Sequence, residues 1–484
     1  MAGQAVPQNQ NKNNKPRKNH RMIKMFSKAT GPGGLARATT KGMILGSVIV
    51  GTLALPLITQ AGHEQKKERA RYKLIDLGTL GGPSSTVAGE DNSVNNHGTV
   101  VGGADTAIPD PFAPNCFTAS CFVQHGFQWQ GGVRTDLGAL ADGVSSIAIS
   151  INEKGDVVGL SQNGLIDPLT GGPEQIAVLW KNGEIISLGT LGGNGSIAVA
   201  LNNQGQVVGG AANSISDPFS LSPILGGPNF ATQTRAFLWK NGIMRELGTL
   251  GGPDSFGWFA NERGQVAGVS YTDSIPNDTT GLPTLHPFLW ENGQMLDLGS
   301  LGGAFSGVNW LNNRGAVVGF MTLPGDEFQH PYLWDHGTLI DLGTLGGSNG
   351  EAKGLNDTGE VVGVADLPVE GSHNAFLWRK GVMMDLGNLG ITSDAHAINS
   401  KGQVVGASRV SFQGTQGNAF LWEKGGPMID LNTLIPANSA LHLVFAEHIS
   451  DRGEIAGTGL PPGVPFEDLG TRGHAFLLIP VGEE

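Results

Sequence analysis

Charged residues, helical patterning and familiar catalytic motifs are scarce in this sequence, and each shortage excludes a class of protein. Only 15% of the 484 residues are charged, so the chain is neither a disordered polyampholyte nor a coiled coil. No 3.6-residue apolar periodicity appears in the repeated region, which predicts almost no helix there. No H-E-x-x-H, EF-hand loop or dinucleotide fingerprint is present. Glycine, by contrast, is abundant at 76 residues without a G-x-y period, which indicates a turn-rich β protein rather than collagen.

The first 61 residues differ in composition from the rest of the chain. They contain nine Lys or Arg and no acid, and residues 42–61 form an uncharged stretch. This stretch is long enough to cross a bilayer, with its basic flank on the cytoplasmic side. Thr59 and Ala61 also fit the −3 and −1 positions of a signal-peptidase site. A cleaved signal peptide and an uncleaved signal-anchor are both open, and both predict that the remainder of the chain is exported.

The predicted organisation has four parts. They are a basic leader at 1–41, a signal peptide or signal-anchor at 42–62, a charged linker at 63–71 and a repeated domain at 72–480. Beyond the leader and the apolar stretch the chain has 21 basic and 42 acidic residues, a net charge of −21. Nucleic acid is not expected as a partner, because phosphate binding needs a basic surface. Membrane contact is expected only through residues 42–62, if they are not removed.

The two cysteines, Cys116 and Cys121, lie close together in the exported part of the chain. In such a compartment a disulfide within a short loop is the expected pairing. A metal site is the weaker interpretation, because there is no other cysteine to complete it and no paired histidine motif nearby.

Three landmarks recur in a fixed order, and they define eight copies of one repeat. The first, D-L-G-x-L-G-G, is anchored on Leu77, Leu137, Leu188, Leu247, Leu298, Leu342, Leu386 and Leu431. The second, N-x-x-G-x-V-x-G, has its first glycine at Gly98, Gly155, Gly205, Gly264, Gly315, Gly359, Gly402 and Gly453. The third, A-F-L-W, ends at Trp129, Trp180, Trp239, Trp290, Trp334, Trp378 and Trp422, with Leu478 in the last copy. Without insertions the period is 44 residues, a length typical of propeller blades.

Each copy predicts four short antiparallel strands, because N-x-x-G and W-K-N-G are hairpin turns between short apolar segments. We therefore predict an all-β fold, an eight-bladed β-propeller of four-stranded antiparallel blades. A β-solenoid is the alternative, but its coils are shorter and lack such hairpins. The first landmark precedes any inner strand and the last copy lacks a fourth strand, so Leu74–Leu77 should pair with Ala475–Ile479 and close the ring.

Strand order separates the two faces of the predicted ring. The tight N-x-x-G and W-x-x-G turns should lie on one face, and the glycine-rich connections and second-to-third-strand loops on the other. The large insertions all fall in those second-to-third-strand loops, at 103–125, 160–176, 210–235, 269–286, 320–330 and 457–474. Insertions gathered on one face often mark the binding face of a repeat protein. We call it the long-loop face.

The motifs "HPFLW", "HAFLL", "DLGTLGG" and "INEKGDVVG" resemble those of the HAF repeat family of exported bacterial proteins. The resemblance covers residues 72–480 and implies export and a repeat architecture. That family brings no catalytic residues to transfer. The last copy departs most from the pattern, with "DLNTLIP" in place of the glycine loop and Ser450 in place of the turn asparagine.

Periodic polar residues are expected to serve the repeat rather than a metal site. Histidines stand four residues before the tryptophan position at His125, His286, His330 and His474, with His373 shifted by one. They are too dispersed to converge on one ion, and a bond to neighbouring backbone is expected instead. The acid before L-G, as in Asp76, should accept N–H groups of the following glycine turn. The repeated tryptophans are expected to pack between blades.

The positions that vary between copies are the candidate functional residues. Three residues before the turn asparagine the copies hold Asn92, Ile149, Val199, Trp258, Asn309, Lys353, His396 and Glu447. Five before it they hold Glu90, Ile147, Ile197, Phe256, Gly307, Glu351, Asp394 and Phe445. These positions face the mouth of the channel on the long-loop face. The candidate ligand-binding set is Glu90, Trp258, Asn309, Glu351, Lys353, Asp394, His396 and Glu447. A solvated channel without a ligand is the competing interpretation.

The sequence thus predicts an exported, monomeric binding module for a carbohydrate or protein partner outside the cytoplasm. No metal, cofactor or catalytic residue is predicted. The alternative is a glycan hydrolase or lyase that uses carboxylates such as Glu351 and Asp394, which would need to lie about 5–10 Å apart. A structural surface protein without a ligand is the third possibility.

Overall fold

A computed structural model describes residues 71–87, 92–410 and 417–481. The predicted leader, the segment at 42–62 and nearly all of the linker lie outside these residues, as does Glu90. Within the described part of the chain, no helix is long and apolar enough to cross a membrane.

The described residues form eight four-stranded antiparallel sheets arranged as the blades of a β-propeller. Blades 1 to 4 contain β2 Gly81–Val87, β3 Val100–Pro109, β4 Phe122–Gln130, β5 Val133–Gly138, β6 Ser146–Ile151, β7 Val157–Ile166, β8 Pro173–Lys181, β9 Glu184–Ser187, β10 Ser196–Leu201, β11 Val207–Ser216, β12 Thr232–Lys240, β13 Ile243–Glu246, β14 Ser255–Ala260, β15 Val266–Tyr271, β16 Leu285–Glu291 and β17 Gln294–Asp297. Blades 5 to 8 contain β18 Ser306–Leu311, β19 Val317–Thr322, β20 Gln329–Asp335, β21 Thr338–Asp341, β22 Gly350–Leu355, β23 Val361–Asp366, β24 His373–Arg379, β25 Val382–Asp385, β26 Thr392–Ile398, β27 Val404–Arg409, β28 Gly417–Trp422, β29 Ile429–Asp430, β30 His442–Ile449, β31 Ile455–Leu460, β32 His474–Pro480 and, from the start of the chain, β1 Tyr72–Asp76. The eight sheets confirm the prediction of eight blades. The first strand of each blade lies at the channel.

In the part of the chain that the structure describes, helix is confined to single turns in the loops and connections. The described residues contain two short α-helices, α1 Leu221–Ile224 and α2 Leu469–Arg472, and two 3-10 turns, Leu431–Thr433 and Phe466–Asp468. The near absence of helix agrees with the missing 3.6-residue periodicity.

The hairpin turns have the backbone conformation that their residues predict. Asn182, Asn241 and Asn292 have φ of 54°, 52° and 52°, and each is followed by a glycine with φ near 80–86°. Two successive left-handed residues form a type I′ turn, whose twist matches that of the flanking strands. Asparagine and glycine are the residues that enter this region at least cost.

The ring closes as predicted from the two ends of the repeat. β1 pairs antiparallel with β32, with Leu74 opposite Leu478 and Asp76 opposite Phe476. The pairing continues one residue further, since Leu77 N donates to Ala475 O at 2.9 Å. The first and last parts of the described chain therefore complete one blade.

The turn asparagines form a belt of hydrogen bonds between neighbouring blades. Each side-chain Oδ1 accepts the backbone N–H two and four residues on, as Asn261 does from Arg263 and Gln265. Each Nδ2 donates to the carbonyl of the corresponding residue in the next blade; the seven donors are Asn95, Asn152, Asn202, Asn261, Asn312, Asn356 and Asn399, at 2.9–3.2 Å. The sequence identified these residues only as turn formers.

The belt stops at the seam between blades 8 and 1. Ser450 replaces the asparagine there, and its Oγ donates to Glu454 at 3.2 Å within its own turn. A different contact spans the seam, where Ser93 Oγ and His448 Nε2 are 3.1 Å apart and buried. The departure of the last copy therefore coincides with the joint that closes the ring.

The hydrophobic core lies in layers between neighbouring blades. Between blades 8 and 1, for example, Phe127 and Val100 pack with Ala456 and Leu477. Six of the seven repeated tryptophans are buried, as predicted; they are Trp129, Trp180, Trp239, Trp334, Trp378 and Trp422.

The two faces are those inferred from strand order. The glycine-rich connections bond to the beginnings of the second-to-third-strand loops, as in Gly193 N to Ala212 O at 3.0 Å and Gly252 N to Tyr271 O at 2.9 Å. These loops and connections therefore share the long-loop face, and the asparagine belt lies on the other. In the loop of blade 1, Cys116 and Cys121 form a disulfide with an S–S distance of 1.99 Å.

Candidate functional site

A β-bulge occurs in the inner strand of seven blades, at the position three residues before the turn residue. The bulged residues, each skipped in the pairing with the second strand, are Ile149, Val199, Trp258, Asn309, Lys353, His396 and Glu447. A bulge leaves one residue unpaired and re-aims its side chain. One of the two variable positions is thus released from the ladder, whereas the other, five residues before the turn residue, stays paired, as Glu351 does with Val364.

On blades 6 to 8 the bulged residues Lys353, His396 and Glu447 form, together with Asp394, a chain of charged contacts across three inner strands, which we call the charged half of the channel. Lys353 Nζ donates to Asp394 Oδ2 at 2.8 Å. His396 Nε2 lies 3.8 Å from the same Asp394 oxygen, and its Nδ1 lies 2.9 Å from Glu447 Oε2. The four side chains keep 12–30% of their surface accessible to solvent.

Blade 5 adds a second contact pair with a neutral donor. Asn309 Nδ2 donates to Glu351 Oε1 at 2.8 Å and to Ala352 O at 2.8 Å. Glu351 precedes Lys353 by two residues on the same strand, β22. Amide, carboxylate, ammonium and imidazole groups therefore lie along the inner strands from blade 5 to blade 8, in two contact sets that meet on β22.

Opposite charges fix the ionisation of this half. Burial alone would raise the pKa of Asp394, but the Lys353 ammonium and His396 hold it below its usual value. Burial likewise opposes the charge on Glu447, and His396 lowers its pKa. The pKa of His396 is raised by Glu447 and Asp394 against the effect of burial. The charged half is thus a set of mutually compensated ions.

The opposite half of the channel wall, on blades 2 to 4, is apolar and covered. Ile149, Ile197, Val199 and Phe256 are buried there, and Phe256 is only 1% exposed. They belong to one cluster with residues of the long loops, including Phe117, Leu221 and Leu282. We call this the capped half. The long loops of blades 1, 3 and 4 therefore cover this half of the mouth. The four residues of the charged half keep part of their surface accessible, although Phe445 beside them packs against the cluster of Val444, Leu460 and Leu469.

The structure brings together most of the residues that the sequence selected. Asn309 and Glu351 form one contact pair, and Lys353, Asp394, His396 and Glu447 form a continuous set; Glu90 lies outside the described residues. Trp258 instead sits in the capped half, where its ring centroid is 4.6 Å from that of Phe256. Sequence reasoning missed Phe445, whose ring lies 6.2 Å from the His396 ring in a stacked arrangement. Its place five residues before Ser450 was the available signal.

The repeated histidines bind carboxylates, which was not expected; the expected backbone contact is present at His125, whose Nε2 lies 3.3 Å from Val144 O. His125, His286, His330 and His474 contact Asp136, Asp297, Asp341 and Asp76 at 2.9–3.1 Å. In two further blades an asparagine takes the place of the histidine and donates to the corresponding aspartate, Asn374 to Asp385 and Asn418 to Asp430. The same aspartates accept the N–H two residues on, as Asp76 does from Gly78 at 2.7 Å, which confirms the predicted turn contact. Within the described chain, no three His, Cys, Asp or Glu side chains are grouped to hold a metal ion.

Two cavities lie away from the charged half. One of 560 Å³ is in blade 8, between the residues that replace the glycine loop and the loop after β31; its lining includes Ile435, Leu441, His442, Pro462 and Phe466. The other, of 230 Å³, lies between loops of blades 2 and 3 and includes Asp167 and Asn194. Neither is lined by a residue of the charged half.

Comparison with known proteins gives the fold alone. No family model matches the chain, and no curated protein matches it. The β-propeller domain of the trilobed protease from Pyrococcus furiosus is similar over 73% of this chain and 97% of its own, with 11% identity and a TM-score of 0.40. An acylaminoacyl peptidase from Pyrococcus horikoshii is similar over 78% of this chain and 58% of its own, with 12% identity and a TM-score of 0.38. A puromycin-hydrolyzing peptidase from Mycobacterium tuberculosis is similar over 82% of this chain and 59% of its own, with 14% identity and a TM-score of 0.42. The chain spans under two thirds of both peptidases, and similarity this low transfers no activity.

Proposed function

We propose that this propeller is an exported binding module that holds a carbohydrate in the charged half of its channel mouth. The observation that carries the proposal is the row of paired polar side chains on the inner strands of four neighbouring blades, Asn309 with Glu351 and Lys353 with Asp394, His396 and Glu447. It offers amide, ammonium, carboxylate and imidazole groups, the donors and acceptors that hydroxyl groups require. Because Lys353 and His396 are paired with Asp394 and Glu447, these four groups together carry little net charge, which suits a neutral polar ligand.

Phe445 supports the same choice of ligand. It is partly accessible and lies beside His396, so it adds an apolar ring next to polar groups. A sugar presents both hydroxyl groups and an apolar C–H face. Ligand sites commonly combine aromatic surface with a few convergent polar groups.

The ionisation of the charged half disfavours the glycan hydrolase or lyase alternative. Glycosidases need one carboxyl group that stays protonated, with a raised pKa, to act as the general acid. Asp394 and Glu447 instead have lowered pKa values, because Lys353 and His396 stabilise their charged forms. These two carboxyl groups are therefore poorly suited to the role of general acid, which favours binding without bond cleavage.

Export is supported by sequence features. The landmarks that resemble the HAF repeat family, the basic leader and the uncharged segment at 42–61 all favour it. The Cys116–Cys121 disulfide fits an oxidising compartment outside the cytoplasm.

A thermal-shift screen of the full chain against neutral and acidic oligosaccharides tests the proposal. A ligand that binds only the folded ring raises its melting temperature. The shift should disappear in Lys353→Met and persist in Lys401→Met, a control at an exposed lysine on the opposite face. A shift that survives Lys353→Met, or no shift with any oligosaccharide, would overturn the proposal. Release of shortened products would favour the hydrolase or lyase.

A further inference from the structure

The connection into blade 8 departs from the repeat, and a cavity lies where it does so. Residues 431–441, which join β29 to β30, contain no glycine and are three residues longer than 247–254, the connection between blades 3 and 4. Within this connection, Ser439 N and Oγ donate to Pro436 O at 3.0 and 2.6 Å. The cavity of 560 Å³ lies between the connection and the loop after β31, and we call it the blade 8 cavity.

The blade 8 cavity combines a buried aliphatic floor with proline rings. Ile435, Leu441 and Leu460 line it and are 4–7% exposed. Phe466 and four prolines complete the apolar lining; the prolines are Pro436, Pro461, Pro462 and Pro465. Its volume falls within the range of about 300–1,000 Å³ that is usual for small-molecule sites. Proline rings and aromatic rings are also the partners that meet when proline-rich segments are recognised. An aromatic ring is therefore a suitable occupant.

The polar groups of the lining restrict the ligand further. Among the described residues that line the cavity there is no Asp, Glu, Lys or Arg. Three lining side chains can donate a hydrogen bond, and each already faces an acceptor of the protein: Asn432 Nδ2 with Leu443 O at 3.0 Å, Ser439 Oγ with Pro436 O at 2.6 Å and His442 Nε2 with Gly417 O at 3.1 Å. The prolines have no N–H to donate. An anion, which needs donors, would be bound poorly.

His442 offers an acceptor at the edge of the cavity. Because its Nε2 faces the carbonyl oxygen of Gly417, this nitrogen carries the hydrogen. In a neutral imidazole the other nitrogen, Nδ1, is then an acceptor. His442 lines the cavity and is exposed, and within the described chain its Nδ1 makes no hydrogen bond. The lining thus suits a ligand whose polar group donates.

We propose that the blade 8 cavity binds an uncharged aromatic compound that carries a hydroxyl group, such as a phenol. The ring packs against the aliphatic floor and the prolines, and the hydroxyl group donates to His442 Nδ1. This goes beyond the proposed function, because it uses none of the residues of the charged half and a ligand of a different class.

Fluorescence titrations of the full chain with three naphthalene derivatives test the ligand class. 2-Naphthol has a hydroxyl donor, 2-methoxynaphthalene has the same rings without the donor, and 2-naphthoate carries a negative charge. 2-Naphthol should bind about three- to tenfold more tightly than 2-methoxynaphthalene, the effect of one hydrogen bond. It should bind about tenfold or more tightly than 2-naphthoate, whose charge would lose its hydration. Equally tight binding of either competitor, or no binding of 2-naphthol, would overturn the proposal.

A matched pair of variants locates the binding. Ala437 and Ala440 are both exposed in the same connection, but only Ala437 lines the cavity. Ala437→Trp should weaken binding of 2-naphthol by about tenfold or more, because the indole takes the space of the ligand. Ala440→Trp should leave binding within about twofold. Both variants should keep their melting temperature. Equal binding by the two variants would overturn the proposal.

His442→Phe tests the acceptor. It keeps a ring at the edge of the cavity and removes Nδ1, so 2-naphthol and 2-methoxynaphthalene should bind with equal affinity within about twofold. Both probes are measured on the same variant, so a structural change that weakens both does not affect the comparison. A preference for 2-naphthol that survives in His442→Phe would overturn the proposal.

The two proposals fail separately. Ala437→Trp should lose binding of 2-naphthol and retain any oligosaccharide shift. Lys353→Met should lose that shift and still bind 2-naphthol.

Discussion

The capped half and the charged half of the channel wall share one backbone feature but use it for different purposes. In both, the inner strand bulges three residues before the turn and presents one side chain outside the ladder. On blade 3 that residue is Val199, which is buried beneath the long loops; on blade 6 it is Lys353, which remains accessible and paired. The backbone device is thus part of the fold, and the residue placed on it decides whether a blade contributes to stability or to recognition.

Phe256 and Phe445 give the most sensitive test of this difference, because they occupy the same repeat position in the two halves. Phe256 is 1% exposed within the capped cluster, so Phe256→Ala should cost about 3–5 kcal/mol of the free energy of unfolding. Phe445 is partly accessible beside His396, so Phe445→Ala should cost less than half as much. Urea unfolding followed by tryptophan fluorescence measures both. Equal costs would show that the two halves are packed alike.

The ion pair between Lys353 and Asp394 tests how much the charged half contributes to stability. Both side chains keep part of their surface in solvent, so Lys353→Met and Asp394→Asn should each cost about 1–2 kcal/mol, less than a fully buried pair. The double variant should cost less than the sum of the two, with a coupling of about 1 kcal/mol. Denaturant unfolding of the four proteins provides the cycle. Additive costs would mean that the two side chains do not stabilise each other.

The two halves should also respond in opposite directions to pH. Burial and the nearby Asp217 charge raise the pKa of Asp254 to about 8; this carboxyl bonds to Leu221 N beneath the loops of the capped half. Its folded pKa lies above the unfolded value of 3.8, so its contribution is complete below pH 4 and is lost as the pH rises through 8. Glu447 in the charged half has a lowered pKa, so its contribution is present above its unfolded pKa of 4.5 and is lost as the pH falls further.

Melting curves from pH 3 to pH 9 measure both effects. Asp254→Asn should flatten the alkaline side of the stability profile and leave the acid side unchanged. Glu447→Gln should do the reverse. Identical profiles for the two variants would contradict the assignment of separate titrating groups to the two halves.

The fold could be predicted from the sequence because each repeat is specified by features of neighbouring residues. Asn-Gly turns, short alternating segments and an unmatched strand at each end are properties of neighbouring residues, and together they predicted eight blades and the pairing of β1 with β32. The contact between Asp76 and Gly78 is equally local. These features need no knowledge of which blades meet.

The candidate site was only partly predictable, because its details arise from contacts between blades distant in sequence. Variation at one repeat position selected Lys353, Asp394, His396 and Glu447, but the bulge and the ion pairs depend on neighbouring inner strands. The covering of Phe256 and Trp258 by the long loops depends on how the insertions fold back, which their composition does not reveal. The aspartate partners of the histidines were missed because they lie on an adjacent strand. The role of the charged half in binding stays a prediction.

The asparagine belt links each blade to the next through the same bond, which does not depend on the number of blades in the ring. Each link joins one turn to the next, so the same bond would serve in a ring with one blade more or fewer. The seam is different, since Ser450 interrupts the belt and Ser93–His448 and β1–β32 contacts replace it. Duplication or loss of an internal 44-residue copy would leave every kind of joint present. Such a protein can change the size of its ring by whole modules, while the joint at its two ends continues to close it.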